Sequence, residues 1–498
     1  DITHDELHKR VAPLLRFRRD QDRDGRLTGM PVLALLMPFP ILADSVDPLK
    51  IVLKMGTGRT IKLNKLLKIA EQICRDLLKT LPSGRPGVRA DRRWYWAAPA
   101  MLETKSGFAN WCRQPAGWSI IGREEQVEDS AFAEHVRELA NAISGDLSLG
   151  PRPKDLARVM AEIAVGGPGC CALRALRRVT DNVQTDDSDL LTAAIRIASG
   201  FRTLFNLPET IALLRGGKEA SYWRLVLQYC AEGNLQAVLD EQVHVLLESL
   251  GLTEHPSTKR LADIAEKLSG VLSIVTARLK IDEFVPGKDQ IKRRDFTTRS
   301  RFAIRYGDLQ GEQDSIVARA DMVRETFNSP FRPFILASTS IGQEGLDFHT
   351  WCHAVMHWNL PSNPVDLEQR EGRIHRYKGH AIRKNVAKRF GLKALESWDG
   401  SGDPWAYLFD QAVKTRPPGS SDLIPYWIYE VEGGAKIERR VPIIPFSKEE
   451  QILAHLKRCL VLYRLVFGQP RQEDLLNHLL ERLPPEAAEK ARQNWQIS

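Results

Sequence analysis

Two short stretches decide the fold expected for this chain: Ser338-Thr-Ser-Ile-Gly-Gln-Glu-Gly-Leu-Asp-Phe348 and Gln369-Arg-Glu-Gly-Arg-Ile-His-Arg376. The first opens with three small hydroxyl residues directly after the apolar segment Phe334–Ala337, which predicts a buried strand. Hydroxyl groups at the carboxyl end of a strand lie where open α/β sheets bind their ligands. Gly342 and Gly345 permit tight turns against a phosphate. The first stretch therefore predicts a strand and a ligand-binding turn, with a plain strand-to-helix turn as the alternative.

The second stretch predicts a helix over Leu367–Arg376 with two arginines on one face. Arg373 and Arg376 are three residues apart, so they share one side of a helix, and Gln369 precedes Arg373 by one turn. Guanidinium groups bind phosphate oxygens with a fixed two-point geometry. The pattern favours a phosphate-contacting pair over an exposed basic helix face. Arg376 is expected to be the main contact, and Arg373 its partner or a structural anchor.

The sequence around these stretches alternates strands and helices, which is typical of a parallel sheet. Short apolar strands are expected at Arg301–Tyr306, Phe334–Ala337 and Ala354–Trp358, with a helix near residues 317–327. Leu272–Phe284 alternates apolar and polar residues, as a strand or hairpin does. Residues 270–395 are therefore expected to form an α/β lobe.

Three further regions are expected outside this lobe. Residues 1–150 have a mixed pattern from which no fold is assigned. Residues 151–268 are expected to be a helical accessory domain, because apolar residues recur there at helical spacing, most clearly from Leu235 to Leu250. Residues 396–498 are expected to be an α-rich extension, with a short extended pair around residues 426–431 and 435–441.

In order and spacing, the two stretches resemble motifs five and six of superfamily-two helicases. Motif six of that family is Gln-x-x-Gly-Arg-x-x-Arg, and Gln369, Gly372, Arg373 and Arg376 satisfy every fixed position. The intervening segment Asn359–Pro364 is most similar to the Swi/Snf branch. The chain also bears a general likeness to bacterial helicase-related proteins of anti-phage defence. The resemblance covers about residues 300–380, and it implies a RecA-like parallel sheet.

The resemblance also implies roles for individual residues. Arg376 and Arg373 would act at the γ-phosphate of ATP, which such enzymes bind with Mg²⁺ between two lobes. The side chains expected to bind the nucleotide are Gln369, Glu344, Gly345 and Asp347. The hydroxyl residues expected to touch nucleic-acid phosphates are Ser338, Thr339 and Ser340.

A dense run of cations follows motif six and includes Lys378, Arg383 and Lys384. Its density favours contacts with nucleic-acid phosphates, and a solvated helix face is the alternative. The net formal charge of +8 also suits a polyanionic partner. DNA is the favoured nucleic acid, because Swi/Snf-like motors usually translocate on duplex DNA.

A complete motor of this family needs a first lobe with a phosphate loop, Gly-x-x-x-x-Gly-Lys-Thr/Ser. No stretch of the sequence has this pattern. Gly56-Thr-Gly-Arg-Thr60 imitates its end, but Arg59 replaces the lysine and a polar turn is preferred. Asp5-Glu-Leu-His8 looks like a DExH box, yet the residues before it do not form a buried strand. The first lobe is therefore expected upstream or on another chain, with residues 1–150 as its remnant or a linker.

Composition fits a protein without a membrane partner. No apolar run approaches the about 20 residues that cross a bilayer. The seven cysteines have neither disulfide-scaffold nor metal-knuckle spacing, which favours a cytoplasmic location. The sequence begins at Asp1 rather than at Met, which is typical of a fragment or a processed product.

Two other groups of residues have competing interpretations. His349, His353 and His357 have the spacing of metal ligands on a helix, but a strand at Ala354–Trp358 would turn them apart, so no metal site is expected. Arg92-Arg-Trp-Tyr-Trp96 could stack a single nucleic-acid strand. An aromatic core with flanking surface charge is preferred for that segment.

These observations predict the arginine-finger lobe of a nucleic-acid-dependent ATPase, a helicase or translocase, whose nucleotide is held by a first lobe outside this chain. Translocation is favoured over strand separation. The alternative is a non-catalytic nucleic-acid-binding or scaffold subunit that retains a helicase-like lobe. The complete Gln369, Arg373 and Arg376 set argues against that alternative.

Overall fold

A computed structural model of the chain describes residues 13–18, 27–56, 61–105, 107–114, 118, 131–180, 187–251, 258–273, 277–286, 291–300, 322–331, 333–337 and 347–466, with scattered positions between 478 and 490. Two compact units are formed. The first comprises Asp1–Phe334 with Phe390–Gln411, and the second comprises Ile335–Arg389 with Ala412–Ser498.

The described secondary structure is mainly helical. In chain order its elements are α1 (Met30–Leu36), α2 (Pro40–Ser45), α3 (Pro48–Lys54), α4 (Leu63–Leu78), α5 (Trp94–Leu102), α6 (Gly107–Arg113), α7 (Ala131–Ser144), α8 (Leu156–Gly166), α9 (Pro168–Arg178), α10 (Ser188–Phe205), α11 (Pro208–Arg215), α12 (Tyr222–Glu232), α13 (Leu235–Ser249), α14 (Thr258–Leu272), β1 (Ala277–Pro286), β2 (Ile291–Ser300), β3 (Ala354–Met356), α15 (Pro364–Gly372), α16 (His380–Arg389), α17 (Gly391–Leu395), α18 (Pro404–Lys414), β4 (Glu438–Arg440) and α19 (Glu449–Val466).

Prolines divide the apolar stretch near the start of the first unit into short helices. Pro40 and Pro48 each occupy the first helical position of α2 and α3, where the N–H that proline lacks is not needed. Asp47 caps α3, because its carboxylate accepts a hydrogen bond from the Leu49 N–H at 2.9 Å. Among the described residues no single helix is long and apolar enough to cross a membrane, although two bent helix pairs meet the same criteria of length and composition.

One hydrophobic core runs through the first unit and includes buried residues from Leu15 to Leu272. The domain boundary expected at residue 150 therefore does not separate two cores. The physical reason is that aromatic residues before the boundary are buried against residues at or beyond it. Trp94 Nε1 donates to the Gly150 carbonyl at 2.8 Å, and Trp111 Nε1 donates to Thr192 Oγ1 at 3.1 Å.

The aromatic segment Trp94-Tyr95-Trp96 lies on α5 and is buried, so the prediction of an aromatic core is confirmed there. The predicted apolar stripe is also confirmed on α13, where Leu235, Leu239, Val243 and Leu247 are buried. The Gly233-Asn234 break precedes that helix, with Asn234 at a φ of 50°. Helical periodicity in the sequence was therefore a sound guide to this part of the fold.

A buried ion network lies within the helical core. Arg178 on α9 donates to both carboxylate oxygens of Asp47, at 2.6 and 2.8 Å, and to Asp240 on α13. Burial raises the pKa of Asp240 to about 6, in spite of its contact with Arg178. Burial would also raise the pKa of Asp47, but the charges of Arg178 and Arg174 outweigh it and lower that pKa. Since buried charges need partners, the network fixes α9 against α13 and the start of α3.

Residues 390–411 belong to the first unit, which differs from the boundary expected after residue 395. His244 Nδ1 on α13 donates to Asp403 Oδ2 at 2.5 Å. The His244 ring also stacks on Trp405 and Phe409, with centroids 6.3 and 6.1 Å apart. These contacts hold the start of α18 against α13, and sequence spacing carries no signal for them.

Strands β1 and β2 form an antiparallel hairpin in which Ala277 lies opposite Ser300 and Pro286 opposite Ile291. The hairpin predicted from the alternation at Leu272–Phe284 is thus confirmed, although Leu272 itself ends α14. The strand expected at Arg301–Tyr306 lies outside the described residues. Of the helix expected near residues 317–327, the described residues 322–327 are helical.

In the second unit, β3 and β4 pair in parallel, with Ala354 opposite Glu438 and Met356 opposite Arg440. The predicted strand at Ala354–Trp358 is confirmed over Ala354–Met356. The extended pair expected around residues 426–431 and 435–441 is not found among the described residues, because residues 422–427 form turns and β4 pairs with β3 instead. The strand expected at Phe334–Ala337 is wrong, because those residues pair with no strand in the described part of the chain. Phe334 and Ile335 are 78% and 86% exposed rather than buried.

Candidate functional site

The described parts of both motif stretches lie in the second unit. Ser338, Thr339, Ser340, Glu344 and Gly345 fall outside the described residues, so their expected contacts stay predictions. The structure describes the first stretch from Asp347 onward and the whole of the second stretch.

Helix α15 carries the beginning of the second stretch and ends before Arg373 and Arg376. Asn363 caps the helix, since its side-chain oxygen accepts a hydrogen bond from the Asp366 N–H at 2.8 Å. Gln369 is exposed on α15, and the last helical residue is Gly372. Arg376 lies in the turn that follows, so the prediction that it shares a helix face with Arg373 is wrong. After the helix, Ile374 is buried, at 4% exposure.

A salt bridge joins the two stretches outside the helix. Arg376 Nε donates to Asp347 Oδ1 at 3.1 Å, and the side chains are 39% and 52% exposed. The Phe348 N–H donates to the Arg373 carbonyl at 2.9 Å, which holds the two backbones together. An ion pair this exposed adds little stability. Its effect is to orient the guanidinium of Arg376 through one nitrogen, so that its other N–H groups can bind a phosphate oxygen.

Glu371 lies between Gln369 and Arg373. It anchors α15 to β4 and to the residue that follows β3. Arg439 on β4 donates to its two carboxylate oxygens at 2.5 and 2.7 Å, and His357 Nε2 lies 3.2 Å from Oε1. Burial would raise the pKa of Glu371, but the hydrogen bonds from Arg439 and His357 outweigh it and hold that pKa at about 2. Glu371 is therefore ionised, and it fixes the helix that precedes the arginines.

Two of the three cations expected to bind nucleic acid are buried. Arg383 is 1% exposed and donates to the Lys378 carbonyl at 2.8 Å and to the Thr350 carbonyl. Its guanidinium also lies 5.2 Å from the ring centroid of Trp351. Lys378 is 9% exposed. The expectation that Arg383 and Lys378 present open charges is therefore wrong, because neighbouring carbonyls and rings cover them, whereas Lys384 on α16 is exposed.

Histidines cluster behind the salt bridge. The rings of His353 and His380 have centroids 5.6 Å apart, and the His380 N–H donates to the His349 carbonyl at 3.0 Å. Burial, aided by Arg383 and Lys384, lowers the pKa of His380 to about 4, and burial also lowers the pKa of His349. No group of His, Cys, Asp or Glu side chains in the described residues is arranged to hold a metal ion. We therefore assign neither Mg²⁺ nor another metal to these side chains.

Sequence reasoning missed two sets of residues that surround the site. Arg439 and His357 support Glu371, and Tyr426 and Trp427 contact the turn that contains Arg376. One signal was available for Arg439: a carboxylate inside a motif at the edge of a sheet needs a cationic partner when it is buried. The sequence contains no comparable signal that would connect residues 426–427 to residues 375–378.

Comparison with known proteins gives one match. Residues 266–378 match the model of the helicase conserved C-terminal domain. No curated protein and no solved structure matches the chain significantly. The matched range contains both motif stretches, and the match implies a RecA-like fold for the lobe. This similarity supports a helicase C-terminal lobe over residues 266–378, the type of lobe found in nucleic-acid-dependent ATPases.

Proposed function

We propose that this chain supplies the arginine-finger lobe of a nucleic-acid-dependent ATPase of the helicase or translocase type. The observation that carries the proposal is the contact between Arg376 and Asp347, which joins the two motif stretches at an exposed place. An arginine held by a carboxylate through one nitrogen is oriented before its ligand arrives. Preorientation of this kind favours the stabilisation of charge that develops in a transition state.

ATP supplies the phosphoanhydride bond whose cleavage drives such a motor. Arg376 binds the γ-phosphate oxygens as negative charge spreads over them, and Asp347 keeps its guanidinium in place. Arg373 and Gln369 contribute from the end of α15, and Glu344 and Gly345 border the nucleotide. The phosphates and Mg²⁺ are held by a first lobe outside this chain, in keeping with the lack of a Gly-x-x-x-x-Gly-Lys-Thr/Ser sequence among residues 1–498.

The proposed track is duplex DNA, along which the motor translocates without separating strands. Ser338, Thr339 and Ser340 contact its phosphates, and the exposed Lys384 adds a further cation. The similarity of residues 359–364 to the Swi/Snf branch supports translocation, and a role in anti-phage defence agrees with the general likeness noted above. All seven cysteines carry free thiols, which suits the cytoplasm.

The test is DNA-stimulated ATP hydrolysis by the chain together with the polypeptide segment that carries the phosphate loop. Arg376→Ala is expected to lower kcat by about 1,000-fold, with little effect on ATP binding, since a finger acts mainly in the transition state. Arg389→Ala is the control, because Arg389 is an exposed arginine at the end of α16, outside both motif stretches. It is expected to change kcat by less than about twofold.

The same measurement separates the proposal from its rival. A completed protein that binds DNA but hydrolyses no ATP would support the scaffold subunit. Equal rates for Arg376→Ala and the unaltered protein would remove the arginine finger from the mechanism.

A further inference from the structure

A cluster of aromatic side chains lies beside Arg376, and the function proposed above does not use it. Tyr377 and Tyr426 stack with ring centroids 5.5 Å apart and an interplanar angle of 23°. Trp427 meets Tyr377 edge-on, at 6.4 Å and 65°. We name Tyr377, Tyr426 and Trp427 the aromatic platform.

The backbone holds the aromatic platform in a fixed arrangement. The Lys378 N–H donates to the Tyr426 carbonyl at 2.7 Å, and His375 Nε2 lies 3.2 Å from the Trp427 carbonyl. Lys378 has a φ of 46°, a left-handed conformation that residues with a side chain rarely adopt. Strain of this kind occurs more often at binding sites than elsewhere. The two segments are therefore fastened in a way that keeps Tyr377 beside Trp427.

The aromatic platform is accessible and packs around the buried ammonium of Lys378. Tyr377 is 43% exposed and Trp427 is 36% exposed. The ammonium of Lys378 lies 5.5 Å from the ring centroids of both Tyr377 and Tyr426. Large aromatic side chains that serve only the core are buried, as Trp94 and Trp111 are in the first unit, at 1% and 2% exposure. Planar exposed rings match the flat surface of a nucleobase, and the partly exposed Arg376, next to Tyr377 in the chain, offers a cation to the phosphate of the same nucleotide.

We propose that Tyr377 and Trp427 bind a nucleobase by stacking, next to the phosphate-binding group of Arg376. The proposal deepens the nucleotide chemistry proposed for Arg376 and rests on it. The base belongs either to a nucleotide that is unpaired at a strand end next to the duplex track or to the adenosine of ATP. Both sources offer the same planar surface to the aromatic platform, and phosphate near Arg376.

The experiment measures equilibrium binding by the full chain and requires no hydrolysis. One arm compares a fluorescein-labelled oligothymidylate with a base-free oligonucleotide of the same length. The other arm compares ATP with inorganic tripolyphosphate. Tyr377→Ala and Trp427→Ala are expected to weaken the base-containing ligand of one arm by about 5- to 100-fold and to leave its base-free counterpart unchanged. The arm that responds identifies the source of the base.

Three control variants make the result specific. Tyr377→Phe retains the ring, so it is expected to bind like the unaltered chain. Tyr229→Ala removes a tyrosine of similar exposure, 49%, from the first unit and is expected to have no effect. Arg376→Ala is expected to slow ATP hydrolysis and to leave the binding of base-containing and base-free ligands nearly unchanged, so a failure of the arginine finger is distinguishable from a failure of the aromatic platform. Equal losses for both kinds of ligand with Tyr377→Ala, or no loss in either arm, would overturn the proposal.

Discussion

Glu371 accepts two hydrogen bonds from Arg439, a residue 68 positions further along the chain. Glu371 lies within the second motif stretch. Arg439 lies on β4, in the region that the sequence predicted to be a separate extension. His357, directly after β3, contacts the same carboxylate. The tail strand is therefore an internal support of the helix that leads into Arg373 and Arg376.

Replacement of Glu371 by glutamine is expected to destabilise the second unit by about 2–3 kcal/mol at pH 7, because Arg439 loses its ionised partner. The pKa of Glu371 is lowered from 4.5 to about 2. A carboxylate with a lowered pKa stabilises the fold fully above about pH 5, and this contribution is lost as the pH falls towards 2. The free energy of unfolding, measured with urea at pH 7, 5 and 3, should therefore depend less on pH for Glu371→Gln than for the unaltered chain.

Glu438→Gln is the control, because Glu438 pairs with Arg440 at an exposed position. Equal unfolding free energies for all three proteins at pH 7 would refute this role.

Asp347→Ala is expected to lower kcat of the completed ATPase by about 10- to 100-fold, less than Arg376→Ala does. The reason is that the carboxylate acts through the guanidinium that it orients. The double variant should be no slower than Arg376→Ala alone, since residues that act as a unit are not additive. Steady-state rates of the four proteins complete the cycle. Additive losses would show that Asp347 and Arg376 act independently.

Two arginines form ion pairs of similar length, one buried and one exposed, so they test how much burial raises the stability lost when an ion pair is broken. Arg178 contacts Asp47 at 2.6 Å with 7% exposure, and Arg75 contacts Glu71 at 2.6 Å with 61% exposure. Arg178→Met leaves two buried carboxylates without their cation and is expected to cost about 3–5 kcal/mol. Arg75→Met is expected to cost less than about 1 kcal/mol. Urea unfolding of both variants provides the comparison, and similar losses would contradict it.

Asp403→Ala is expected to make residues 390–411 more accessible to proteases, because it removes the hydrogen bond to His244 and the cap of α18 at Trp405 N. Asp399→Ala is the matched control, since Asp399 bonds only to the neighbouring Ser401 among the described residues. Limited proteolysis followed by mass spectrometry locates the cleavage sites. Cleavage at equal rates in both variants would show that His244 does not secure this segment.

Substitutions of the adjacent cations Arg383 and Lys384 are expected to affect different properties, thermal stability for Arg383 and DNA binding for Lys384. Lys384 is exposed, so Lys384→Ala is expected to weaken DNA binding and to lower the slope of log affinity against log salt by about 1. Arg383→Ala removes the donor that holds two backbone carbonyls, so it should lower the melting temperature instead. Titrations at several salt concentrations and thermal melts distinguish the two. A reduced salt slope for Arg383→Ala with unchanged stability would reverse this assignment.

Periodic features of the fold could be predicted from the sequence. The stripe on α13, the β1–β2 hairpin and the β3 strand follow from spacing alone, because each buries or pairs residues at a regular interval. The helicase C-terminal domain was also within reach, since Gln369, Gly372, Arg373 and Arg376 form a pattern that does not depend on long-range contacts.

Contacts between distant segments could not be predicted from the sequence. Arg383 has the same charge and neighbours as a phosphate-binding arginine, and only its position under Trp351 makes it structural. The platform residues Tyr426 and Trp427 lie about 50 positions from Tyr377, so no local pattern connects them. The end of α15 at Gly372, four residues before Arg376, likewise has no signal in the helical spacing of Gln369, Arg373 and Arg376.

The separation of the chain into two units limits which segments can be exchanged with a related gene without dividing a unit. The polypeptide passes between units at three places, after Phe334, after Arg389 and after Gln411. A recombination event that exchanged residues 270–395 with those of a related gene would transfer a piece of each unit and leave β4 behind, with Arg439. A replacement that kept each unit whole would instead need breakpoints after Phe334, after Arg389 and after Gln411.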